Sequence, residues 1–172
     1  MKGSLIACGL FSLVILAACN GPASPTGGLP VAAGTEASAQ GTATLPFKGS
    51  FEGAQTATPG TPPLVTVAMQ GTGTGTLVGR FEIALPHTVN VATASASGTA
   101  TIIAADGSRI VASFTGQAQV GPIVTIVERA TVTGGTGRFA GASGSFTIHR
   151  TFNPATGVTT GTFEGTLQLG GN

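Results

Sequence analysis

An all-β chain, folded as an antiparallel barrel of about eight strands that closes on itself, is the architecture predicted for these 172 residues. Three observations carry that expectation. Apolar and polar residues alternate with period two from Leu45 onward, without a 3.6-residue stripe. Turn signals cut this region into about eight short runs. The first and last runs also share a pattern, Gly49-Ser50-Phe51-Glu52-Gly53 and Gly161-Thr162-Phe163-Glu164-Gly165, with Phe on one face and Glu on the other. If these two runs are neighbours, neither edge of the sheet stays open.

The strands are expected near 46–57, 64–77, 79–86, 92–105, 108–120, 123–133, 144–153 and 158–169. In the first, Phe47, Gly49, Phe51 and Gly53 share one face against Lys48, Ser50, Glu52 and Ala54. The third sets Phe81, Ile83 and Leu85 against Arg80, Glu82 and Ala84, and the seventh sets Phe146, Ile148, Arg150 and Phe152 against Ser145, Thr147, His149 and Thr151. The run Gly71-Thr72-Gly73-Thr74-Gly75 reads as a narrow strand whose small residues let a barrel bend tightly. Between the strands, the Pro59–Pro63 cluster and Gly121-Pro122 break the pattern, and Asn153-Pro154-Ala155-Thr156-Gly157 presets a turn. Asp106-Gly107 predicts a two-residue hairpin loop with positive φ at both positions. Short, even connections imply mostly sequential antiparallel pairing, and about eight such strands suggest a sandwich or an up-and-down barrel, between which the matching first and last runs favour the barrel.

Composition narrows the function. Charged residues are only 8% of the chain against 41% hydrophobic. The formal charge of +1 falls to zero without Lys2, so no basic stripe exists to neutralise phosphates and nucleic acid is not an expected partner. Trp and Tyr are absent, which argues against the aromatic girdles of an integral outer-membrane barrel and against a carbohydrate-stacking platform.

The N-terminus has its own logic. Lys2 precedes an almost wholly apolar stretch from Leu5 to Ala18, the layout of a secretory signal and too short for a spanning helix. It ends in Leu16-Ala17-Ala18-Cys19, which resembles the lipobox of bacterial lipoproteins. That resemblance implies a signal peptide over 1–18 and a diacylglycerol thioether on Cys19 as the first residue of the mature chain. It also implies residence in the cell envelope, on the outer membrane where the host has one and otherwise on the outer face of the plasma membrane. Residues 19–44 are mostly Pro, Gly, Ala, Ser and Thr with one charge, Glu36, and read as a flexible tether to the barrel domain of 45–172. Cys8 falls inside the signal, so the barrel domain holds no thiol for a disulfide or a zinc site.

One local motif stands out. Gly134-Gly135-Thr136-Gly137-Arg138-Phe139-Ala140-Gly141-Ala142-Ser143-Gly144 joins two strands through a glycine-rich loop with Phe139 as its large apolar anchor. A phosphate cradle would need a helix N-terminus after the loop, and strand alternation follows instead. At Gly134, Gly135, Thr136, Gly137, Phe139, Ala142 and Gly144 the loop resembles that of plant allene oxide cyclases and dirigent proteins, with Gly141 nearer the cyclase form. The resemblance implies an eight-stranded antiparallel barrel with a central cavity. Plant members act on oxylipins or steer phenoxy-radical coupling, and their catalytic residues have no matched positions in this chain.

The chemical inventory is thin. The chain has one Asp, Asp106, in a predicted turn, and no His-x-Glu, His-Glu-x-x-His, calcium-loop or nucleophile-elbow pattern, so neither a metal nor a cofactor is expected. His87 and His149 lack a third ligand nearby in sequence. The one constellation is Glu128 with Arg150. If Val132 faces Phe146, Glu128 lies directly opposite Arg150 on the apolar face, and Arg129 lies near His149 on the other. Two opposite charges inside a barrel need each other, either to fix register or to anchor a ligand's head group. Three readings follow: a lipid-anchored barrel that binds a small apolar ligand or serves as a scaffold, an isomerase or cyclase related to allene oxide cyclase, and a purely structural envelope lipoprotein. An open interior favours the first two and a filled one the third.

Overall fold

The structure is a computed structural model and describes residues 43–170. The signal, Cys19 and the tether up to residue 42 lie outside the described residues. Eight strands follow one another in chain order: β1 (Thr44–Pro59), β2 (Leu64–Gly75), β3 (Gly79–Asn90), β4 (Ser95–Ala104), β5 (Arg109–Gln119), β6 (Val124–Thr136), β7 (Ser143–Asn153) and β8 (Val158–Gln168). Each pairs antiparallel with its neighbours, and β8 returns to β1, so the sheet is a closed barrel. The shared Gly-x-Phe-Glu-Gly pattern sits on this seam.

At the seam, Phe and Gly occupy complementary positions. Phe47 lies opposite Gly165, Phe51 opposite Gly161 and Phe163 opposite Gly49. The rule extends around the barrel. Gly73 separates Phe51 from Phe81, Gly165 separates Phe47 from Phe146, and Gly98 separates His87 from Phe114. In a barrel this narrow, inward side chains on adjacent strands compete for the same space. A glycine between two rings leaves room for them to meet over it, and the rings do meet. Phe47 and Phe146 pack edge-on with centroids 5.2 Å apart, and Phe47 and Phe163 lie at 4.6 Å. Phe81 and Phe146 close on Phe163 at 5.8 and 5.9 Å. Such pairs add about 0.5–1.5 kcal/mol each beyond their burial.

Seven of the eight phenylalanines among the described residues are buried. Phe rings thus occupy the interior where the resemblance implied a central cavity. The base is sealed by the glycine-rich loop. A short 3-10 turn, Gly137–Phe139, delivers Phe139 into the core at 1% exposure. Gly137 and Gly141 have φ of +61° and +68°, so the loop needs glycine there. Arg138 clamps it from outside: its backbone N–H donates to Ser108 Oγ (3.2 Å), its Nη2 donates to the Val78 carbonyl (3.2 Å), and its guanidinium lies 4.9 Å from the Phe139 ring centroid. The loop is a plug and not an anion cradle.

Two expectations differ in detail. The Asp106-Gly107 loop has three residues, 105–107, and only Gly107 has positive φ (+82°). Asp106 instead accepts from the Ser108 N–H at 3.0 Å, which chiefly holds its carboxyl below the usual carboxylate range. The β6–β7 register also differs. Ala130, and not Val132, faces Phe146. A bulge at Thr133, where the β5–β6 pairing steps from Ala112↔Val132 to Val111↔Gly134, and the 3-10 plug lengthen the connection, so Ser145 pairs with Thr131, two residues earlier along β6 than expected.

An added Cβ at Gly165 would run into the Ser145 carbonyl and Phe146. Gly165→Ala is therefore expected to cost about 1–3 kcal/mol in urea unfolding and to speed amide exchange along 44–54 and 158–168 together. Unchanged exchange along the seam would count against the Phe–Gly rule.

Candidate functional site

The two-residue change of register keeps Glu128 and Arg150 on the inner face, because side-chain direction repeats every two residues. Directly opposite Arg150 on β6 is Ile126, and Glu128 faces Ile148. The two charges meet on the diagonal. Arg150 Nε donates to Glu128 Oε2 at 2.9 Å and Nη2 donates to Oε1 at 2.7 Å, a bidentate fork. Both are inside the protein, Glu128 at 0% and Arg150 at 3% exposure. Gly116 on β5 and Gly161 on β8, the neighbours of Glu128 and Arg150, leave the space the pair fills.

Two more residues complete the cluster. Arg150 Nη1 donates to Gln55 Oε1 at 2.7 Å, and His87 Nε2 lies 3.4 Å from Arg150 Nη2. His87 Nδ1 is 2.7 Å from the Leu85 carbonyl, which can only accept, so Nδ1 carries the ring proton and Nε2 is the acceptor toward Arg150. Burial pushes the His87 pKa below 6.5, and the Arg150 charge adds to that, outweighing the Leu85 carbonyl and Glu128 that act in the other direction. The imidazole is thus held neutral between a cation and the Phe114 ring, whose centroid is 5.7 Å away. Among the described residues, every buried side-chain polar atom has a partner.

Both additions carried a signal in the sequence. His87 follows Phe81, Ile83 and Leu85 at the same parity, and Gln55 follows Phe47 and Phe51. Strand parity alone places them inside. Ending the third strand at residue 86 hid His87, because β3 continues through Pro86 to Asn90. His149 lies on the outer wall, exposed, opposite Val127 and Thr162. Arg129 faces Thr147, so Arg129 and His149 are not direct partners across the ladder as the expected register had them. No group of three His, Cys, Asp or Glu suited to a metal occurs among the described residues.

Space for a ligand occurs on the barrel's outside. A groove of about 1110 Å³ crosses the outer wall, lined by exposed side chains including Glu52, Thr72, Arg80, His149 and Thr162. A second, of about 610 Å³, lies on the wall of β3 to β6, beside Asn90, Thr115 and Arg129. At the mouth above the polar cluster, the inward-facing Val65, Val89, Val124 and Phe152 are half-buried.

Removing one member of the pair strands the other without water. Glu128→Gln and Arg150→Met are each expected to cost on the order of 3–5 kcal/mol, and Glu128→Leu with Arg150→Met to recover much of the loss. Two small, additive losses in chemical unfolding would show that the pair contributes little. The His87 pKa, lowered in the folded state, sets a pH dependence as well. Above pH 6.5 the ring is neutral folded or unfolded; below it the unfolded chain takes up the proton more readily, so stability falls as pH drops from about 6.5 toward 5. His87→Met is expected to flatten that slope, and an unaltered slope would assign it to other groups.

No family model and no curated protein matches the sequence. Among solved structures the fold is similar to that of the pterocarpan synthase dirigent protein GePTS1, with a TM-score of 0.54 and 15% sequence identity, over 74% of this chain and 92% of that one. At that identity the likeness concerns the fold alone: the chain is an all-β, eight-stranded antiparallel barrel of dirigent-like architecture.

Proposed function

We propose that this is a lipid-anchored protein of the bacterial cell envelope whose barrel acts as a rigid scaffold. The observation that carries the reading is a closed barrel packed with Phe rings, on a chain whose Leu16-Ala17-Ala18-Cys19 resembles a lipobox. A packed interior supports presentation of a surface over chemistry in a cavity. The Glu128–Arg150 pair then serves the fold, holding β6 against β7 in one register.

A second reading has the mouth bind a small, largely apolar ligand with a polar head. It is favoured by Arg150, whose fork makes four of its five possible donations to Glu128, Gln55 and His87, beneath the half-buried Val65, Val89, Val124 and Phe152. Such a ligand would approach Nη1 as an acceptor.

Metabolic labelling with a fatty-acid analogue tests the anchor. The protein is expected to take the label and fractionate with membrane, and Cys19→Ala to lose both; a labelled, membrane-bound Cys19→Ala chain would refute the lipobox reading. Native mass spectrometry of the protein from its own host separates the two readings of the barrel. A retained small molecule lost on Gln55→Ala supports the mouth site, and an unaccompanied chain supports the scaffold.

A further inference from the structure

The two ends of the barrel differ in kind. The end holding the connections 76–78, 105–108 and 137–142 carries Arg80, Asp106, Arg109 and Arg138, all exposed. The opposite end is built from the connections 60–63, 91–94, 120–123 and 154–157. The stretches that lead into and out of it, 53–75, 83–104, 110–127 and 151–163, contain no Asp, Glu, Lys or Arg. Below its rim lie His87, buried and held neutral, and Glu128 and Arg150, buried and paired with each other.

That same end carries the exposed large apolar side chains. Leu64, Val91, Val120, Ile123 and Val158 stand on its rim, Val120 at 83% exposure; among the described residues only Val127 is elsewhere, on the outer wall of β6. Its backbone is also unusually self-sufficient. Pro59, Pro62, Pro63, Pro122 and Pro154 have no N–H to satisfy. Asn90 Oδ1 accepts from the N–H of Ala92 and of Thr93, and Asn153 Oδ1 accepts from that of Ala155. The N–H groups of Gly60, Leu64, Val91, Thr156 and Gly157 donate to carbonyls within the same end. A rim without charges, with many of its turn donors already paired, loses little on leaving water.

We infer that this uncharged end docks directly on a lipid bilayer, dipping its rim side chains into the interfacial region. The inference rests on the reading of the chain as lipid-anchored, and adds a second, non-covalent contact made by the barrel itself. A fluid apolar phase suits the rim, because its five side chains protrude from four separate hairpins around a mouth. A folded protein partner would need a matched pocket for each. The absence of Lys and Arg makes the attraction hydrophobic and independent of anionic headgroups. Chain length permits the orientation. The barrel is entered at Thr44, on the charged end, but the chain from Cys19 to Thr44 can span up to about 80 Å. The 16 residues of β1 reach only about 50 Å along the strand.

Apart from Cys8 in the signal and Cys19 at the anchor the chain has no thiol, so the barrel domain of 45–172 takes a single label. Val120→Cys and, as the opposite-end control, Asp106→Cys are each introduced into the full chain and labelled with a bimane fluorophore. The protein is then placed in phosphatidylcholine vesicles containing nitroxide-labelled lipid. Quenching is expected to be several-fold stronger at residue 120 than at 106, and to be unchanged by phosphatidylglycerol or by raising salt from about 0.1 to 1 M, which shortens the screening length from ~10 to ~3 Å. Adding Val91→Asp and Ile123→Asp, both at exposed positions, is expected to remove the difference. Equal quenching at both ends, or quenching that needs the anionic lipid, would overturn the inference. A residue-120 signal that follows protein concentration and not lipid would also overturn it, and assign the rim to a second copy. The intact mass of the same sample reads acylation of Cys19 separately, so loss of the anchor and loss of docking are told apart.

Discussion

Space inside the barrel is the constraint on which the rest of the structure depends. Eight strands enclose an interior only wide enough for side chains to fill, so a large inward residue requires a small one beside it on the next strand. Gly165 between Phe47 and Phe146, Gly73 between Phe51 and Phe81, and Gly98 between His87 and Phe114 are instances of one rule. Inside a strand glycine is ordinarily a weakness, since it loses more backbone entropy on folding and contributes no packing. Here each is offset by the ring contacts made above it. The glycines on the inner faces of the strands thus belong to a packed core.

The same constraint explains how two charges come to be stable in an apolar interior. Gly116 and Gly161 leave the volume that Glu128 and Arg150 occupy, and the fork between them satisfies both carboxylate oxygens at once. Gln55 and a neutral His87 finish the shell. A pair closed in this way gains specificity from what it forbids. Slipping β6 by one residue against β7 would turn Glu128 outward and leave Arg150 unpaired among Phe and Ile.

The polar cluster and the glycine-rich loop divide the barrel between them. Phe139 and its Arg138 clamp seal one end from water with apolar packing. The other end stays half-open, with polar side chains inside and apolar ones on the rim. That arrangement inverts the usual distribution in a soluble domain and gives the molecule a direction, with exposed charges toward the chain's entry and an uncharged rim at the far end.

Period-two alternation and turn residues were enough to read eight strands, their order and the closing seam, because side-chain direction in a strand is a local property that repeats every two residues. Parity also placed Glu128 and Arg150 inside, and applied to the whole of β3 and β1 it would have added His87 and Gln55. Register was not legible. It is set by the length of the connection, and both the bulge at Thr133 and the 3-10 turn at Gly137–Phe139 form only because Phe139 finds a place in a core built from the other strands. Whether the interior is hollow was likewise beyond the sequence, since it depends on which rings from β1, β3, β7 and β8 converge at one height. The sorting of charge to one end, present in the sequence as four long uncharged stretches, acquires meaning only when the hairpins bring those stretches together. Local alternation determines which way a side chain points; only closure of the barrel decides what it meets.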